Sequence, residues 1–128
     1  MISQTDLRIG NLVLAGNQNT ICDVRHLLEY FAHLIDIGGV IIFSHPYDDI
    51  HPIPITPEWL ERLGFELVPQ IFNVRHKSGL CTLNFDLSNY FLKHNDGSVN
   101  IKYIHQLQNI YHALTGQELT AKELTPTI

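Results

Sequence analysis

The sequence predicts an α+β protein: a small antiparallel, barrel-like β lobe at the N-terminus, then a short helix, an antiparallel β meander and a C-terminal amphipathic helix packed on the sheet. Three observations carry this. Turn-forming clusters cut most of the chain into runs of strand length. Thr56-Pro57-Glu58 opens and Gly64 closes a short helical segment. The third is the stretch from Ile101 to Gly116, where Tyr103, Ile104, Leu107, Ile110, Tyr111 and Leu114 share an arc of roughly 120° on a helical wheel.

At 128 residues one domain is the default, and a chain of this size needs no disulfide or metal staple. Within it, residues 1–51 form the β-rich lobe, 52–116 a helix-meander-helix lobe and 117–128 a frayed tail. Residues 7–15 read as the first strand, with Gly10 as a bulge or point of close approach. Gly16-Asn17-Gln18-Asn19 is turn chemistry, and residues 20–26 are β-branched enough for a second strand. Residues 27–37 fit two periods: Leu27, Phe31 and Leu34 suit a helix, whereas Tyr30, Ala32 and Leu34 suit one face of a strand. No helix cap precedes them and Gly38-Gly39 follows as a hairpin turn, so 30–37 are assigned to a strand.

Residues 45–55 contain three prolines, which remove donors and restrict the residues before them; the segment reads as an extended connector between the lobes. In the next helix Thr56 is the N-cap, Pro57 sits at N1, Ile55 staples to Leu60, and Phe65 folds back on Leu60 past Gly64. Residues 71–75 form a strand and Lys77-Ser78-Gly79 a turn. Cys81, Leu83, Phe85 and Leu87 then alternate with polar residues, as in a strand with one buried face. Asn95-Asp96-Gly97 turns between strands at 90–93 and 98–101. The last helix follows, and Gly116 supplies its left-handed C-cap.

A net charge of −5 and eight scattered Lys and Arg residues argue against a nucleic-acid partner. Cys22 and Cys81 lie outside any metal spacing and read as buried free thiols. The N-terminus shows no signal-peptide pattern, and apolar runs such as 40–43 fall far short of the roughly 20 residues of a membrane helix, so the expected location is cytoplasmic with no membrane partner.

His45, Asp48, Asp49 and His51 are the densest ionisable set. Imidazole with carboxylate can orient a water, act as acid and base, or bind a divalent cation. The alternative is a solvated connector whose Asp and Pro residues shape turns. Their spacing matches no catalytic or metal motif, so no metal and no cofactor is expected. His105 and His112 share a helix face but lie roughly 10 Å apart along the axis, too far to hold one ion together. Tyr47 and Trp59 flank the connector and can line a groove, or simply pack the two lobes together.

The resulting expectation is a non-enzymatic protein–protein interaction module. Its contact face is the uncharged polar side of the last helix, His105, Gln108, Asn109 and His112, which can hydrogen-bond to an unknown protein partner or a second copy without burying net charge. The rival expectation is a small metal-dependent hydrolase built on His45, Asp48, Asp49 and His51.

Three blocks also carry a resemblance. Asp6-Leu7-Arg8-Ile9-Gly10-Asn11 is the first. Pro52-Ile53-Pro54-Ile55-Thr56 with Trp59-Leu60 and Gly64-Phe65 is the second. The third is Ile101-Lys102-Tyr103-Ile104-His105-Gln106-Leu107-Gln108-Asn109 with Ala113-Leu114-Thr115-Gly116. Together they resemble a group of short uncharacterised proteins of gut anaerobic bacteria and their prophages or mobile elements. The resemblance implies a stand-alone cytoplasmic protein and supplies no catalytic residues. It also raises a third expectation, a nucleic-acid-associated phage accessory protein.

Overall fold

A computed structural model describes residues 4–16, 20–36, 42–68, 73–76, 82–86, 89–94 and 97–119. Their fold is α+β, with two five-stranded antiparallel sheets and two α-helices among the described residues. No helix among them is long and apolar enough to cross a membrane.

The first sheet contains β1 (Leu12–Ala15), β2 (Thr20–Leu27), β3 (Phe31–Asp36), β4 (Ile42–Pro46) and β5 (Ile50–His51), in the order β4-β3-β2-β1-β5. The strand period wins over Phe31–Asp36, while residues 28–30 turn. Ala32 and Leu34 point inward with Val13, Ala15, Cys22, Val24 and Ile50 to form one core. The opposite face of β1 and β2 is covered as well, because Leu12, Leu14 and Ile21 join a second core below. Burial and a hydrogen bond to Asp36 push the Cys22 thiol up to about 12, so it is packing material and not a nucleophile at neutral pH.

Two N-terminal expectations need correction. The first strand begins at Leu12, not residue 7, because residues 8–11 form a tight turn. Gly10 takes φ +97° there, and the Asn11 N–H donates to Arg8 O at 3.0 Å. The proline-rich connector is not plain linker either. A 3-10 turn at Tyr47–Asp49 swings the chain round so that Ile50 and His51 pair with Ala15 and Leu14. The prolines permit this because Pro46 sits on an edge strand and Pro52 follows the last paired residue. The sheet does not close into a barrel: among the described residues no ladder joins β4 to β5.

The second lobe opens with α1 (Pro57–Arg62), where Thr56 Oγ1 accepts the Trp59 N–H at 3.2 Å. Gly64 ends the helix at φ +90°. Phe65 then starts β6 (Phe65–Val68), a strand that the sequence patterning did not reveal. β7 (Asn73–His76), β8 (Thr82–Asp86), β9 (Asn89–His94) and β10 (Gly97–Ile101) complete the meander in chain order. The expected turns at Gly38-Gly39, Lys77-Ser78-Gly79 and Asn95-Asp96, and the residues Cys81 and Leu87, lie outside the described residues.

The last helix, α2 (Ile104–Thr115), is held at both ends. Gln106 Oε1 accepts the Lys102 and Tyr103 N–H groups at 2.9 and 3.2 Å, and Gly116 closes the other end at φ +72°. Residues 53–55 strap its start, with Ile104 N–H donating to Ile53 O at 2.8 Å. Ile104, Leu107 and Tyr111 enter a core shared with Leu12, Leu60, Phe65 and Leu83. Each such side chain contributes roughly 1.5–3 kcal/mol by leaving water. The expected frayed tail is ordered over its first part: Leu119 lies in the same core, and residues 120–128 fall outside the described residues.

Candidate functional site: an internal polar seam and an exposed hairpin

The buried arc of α2 is rotated from the wheel's apolar arc. It comprises Ile104, His105, Leu107, Gln108 and Tyr111, while Leu114 is 55% exposed. The reason is what faces the helix. The turn at residues 8–11 and the start of β1 present backbone groups toward it, and polar side chains of α2 bond to them. Gln108 Oε1 accepts the Leu12 N–H at 2.8 Å, and Gln108 Nε2 donates to Gly10 O at 3.2 Å. Asn109 Oδ1 accepts from Asn11 Nδ2 at 2.9 Å and from Arg8 Nε at 3.1 Å, and its own amide donates to Asp6 O at 3.1 Å. The Arg8 guanidinium also pairs with Glu118, and this hydrogen bond holds the Glu118 carboxyl below the usual range.

The expected partner face is therefore occupied from within the chain. Gln108 is 2% exposed and His105 is 4% exposed. Asn109 is half-buried and spent on the seam, and only His112 keeps much of its side chain in solvent. A helical wheel cannot distinguish a polar residue facing water from one facing orphan backbone groups.

His105 is the incomplete member of the seam. Its Nδ1 is buried with no hydrogen-bond partner among the described residues. Burial pushes its pKa down, and the Asp6 carboxylate offsets part of that shift. The ring stacks on Tyr103 with 6.0 Å between centroids and borders an open cavity of ≈ 340 Å³, which Asp6, Asn100 and Asn109 also line.

The ionisable residues of the former connector are spread over three elements. His45 lies on β4, Asp48 and Asp49 on the 3-10 turn, and His51 on β5. Among the described residues, no three His, Cys, Asp or Glu side chains gather where they could hold a metal. Tyr47 donates its hydroxyl to Leu28 O at 2.5 Å and packs on the first core. Trp59 packs on the second core with the Arg62 guanidinium 5.5 Å over its ring, so the two aromatics serve different cores.

No family model, curated protein or solved structure matches the chain.

Sequence patterning missed one such surface, the β2–β3–β4 hairpin region. Leu28 N–H donates to Phe31 O at 3.0 Å and closes a turn over Glu29-Tyr30, residues that lack the usual Gly or Asn mark of a tight hairpin. Beyond β3, strand β4 is the edge of its sheet, with Ile42 49% and Phe43 45% exposed. On the outer face His26 lies opposite His33, and their Nδ1 atoms are 3.4 Å apart. Equal distance from residues 29 and 30 was the available signal for this pair, and it becomes useful only once the turn is known.

Proposed function

We propose that this chain is a non-enzymatic protein–protein interaction module that self-associates through the free edge of β4. The observation that supports this best is the pairing of two features on one strand. Among the described residues the outer edge of β4 pairs with no strand, and Ile42 and Phe43 are about half exposed along it. Unpaired backbone beside apolar side chains is a template for strand addition. A second copy is the simplest occupant, since two β4 strands related by a two-fold axis pair antiparallel and cover the same side chains on both copies. Pro46 limits the pairing to the first part of the strand.

This reading keeps the expected class of function and moves the contact surface from α2 to β4. The hydrolase reading loses ground because its four residues do not converge, and the nucleic-acid reading because the chain carries a net charge of −5. A mobile-element-associated setting rests on the resemblance alone.

Sedimentation equilibrium over a wide concentration range tests the proposal. The native chain should show a monomer–dimer equilibrium, and Phe43→Lys should be monomeric with an unchanged circular dichroism spectrum. A native chain that stays monomeric throughout, or a Phe43→Lys variant that dimerises equally well, overturns it.

A further inference from the structure

We propose that His26 and His33 form a two-imidazole site for a divalent transition-metal ion of the zinc class. The register of β2 against β3 changes along the ladder. Cys22 pairs with Asp36 and Val24 with Leu34, but His26 pairs with His33 and Leu27 with Ala32, so the ladder shifts by one residue between Val24 and His26. Continued without that shift, the ladder would set His26 opposite Ala32, whose side chain is in the core, and Arg25 opposite His33. The bulge turns His26 to the outer face and puts the two imidazoles side by side. Bulges cost a regular ladder contact and are often found where a side chain must be re-aimed.

The resulting geometry suits chelation. Two nitrogens bound at about 2.0–2.1 Å to a tetrahedral ion lie about 3.4 Å from each other. The observed Nδ1–Nδ1 separation is 3.4 Å, with the rings nearly perpendicular at 86°. An ion can therefore enter with small ring rotations and no strand movement. The Nδ1–Nδ1 contact fits a hydrogen bond in which one ring donates its Nδ1–H to the other. In the tautomer that carries its proton on Nε2, each ring offers its Nδ1 lone pair to the ion and presents N–H to solvent.

The surroundings favour this use. The Phe31 ring packs on His33 at 5.6 Å between centroids and limits its rotation. Arg25 lies 3.9 Å from Asp23, so the nearby cation is partly balanced. His26 is exposed and His33 half-buried, which leaves the ion a path in and room for water at its remaining positions. Imidazole selects zinc, copper or nickel over magnesium and calcium, which prefer oxygen ligands.

The test is calorimetric titration of the untagged chain with zinc chloride and, in parallel, magnesium chloride. One equivalent of zinc per chain and no magnesium signal are expected. His26→Gln and His33→Gln should each weaken zinc binding by at least the roughly tenfold that loss of even an outer-shell partner costs, while His112→Gln should not. Nitrogen-15 shifts of the His26 and His33 rings should move together in the native chain. Binding retained in both single variants, lost equally in His112→Gln, or matched by magnesium overturns the assignment.

Discussion

Gln108 Oε1 accepts the backbone N–H of Leu12 at 2.8 Å, so an amide on the last helix completes the hydrogen bonding of the first strand. The same side chain donates to Gly10 O, and with the Asn11–Asn109 hydrogen bond it ties the turn at residues 8–11 to α2. Gln108→Ala leaves a buried N–H and a carbonyl without that partner and opens space beside Leu12. At roughly 1–3 kcal/mol for each orphaned group, a loss of about 2–4 kcal/mol is expected. Urea denaturation should show a lower midpoint at an unchanged m-value. Asn109→Ala should cost less, because Asn109 is only half-buried and water can replace its contacts.

His105 makes stability depend on pH. Its folded pKa is depressed, chiefly by burial, so between the folded and unfolded values the unfolded chain binds the proton and the native chain does not. Its contribution is therefore fully present above the unfolded value of about 6.5 and is lost as pH falls through the depressed folded value. His105→Gln removes this titration. Paired urea melts at pH 7.5 and pH 5 should show the native chain losing more stability on acidification than the variant. Equal losses in the two chains would assign the acid sensitivity to other groups.

What the sequence disclosed and what it hid follow from the range of the forces involved. The N-cap at Thr56, the stop at Gly116, the alternation around Leu83 and the strand at residues 30–37 are local patterns, and each corresponds to an observed element. The two-residue strand Ile50–His51 is invisible locally, because its partner Leu14-Ala15 lies in a different part of the chain and flanking prolines argue for a linker. The same holds for the candidate surfaces. Gln108 sits on what the wheel makes a solvent face, and contact with Gly10 and Leu12 gives that face something to satisfy. His26 and His33 meet through a bulge, and single-sequence periodicity cannot place a one-residue shift in register.

Gly64 and Gly116 both end helices with positive φ, at +90° and +72°, yet they should respond differently to alanine. At Gly116 a Cβ meets nothing within 4 Å, so Gly116→Ala carries only the left-handed backbone penalty of about 1–2 kcal/mol. At Gly64 a Cβ would stand 3.0 Å from His76 Nε2. That ring cannot swing aside cheaply, because it packs edge-on to Phe65 at 5.1 Å and against Tyr111 at 4.9 Å. Gly64→Ala should thus lose a further 1–3 kcal/mol or so, the usual range for overpacking. A double-mutant cycle with His76→Ala separates the two terms. If the steric account holds, Gly64→Ala becomes no more costly than Gly116→Ala once the ring is gone, giving a coupling energy of about 1–3 kcal/mol. Additive losses would mean that the backbone angle alone requires glycine at this position.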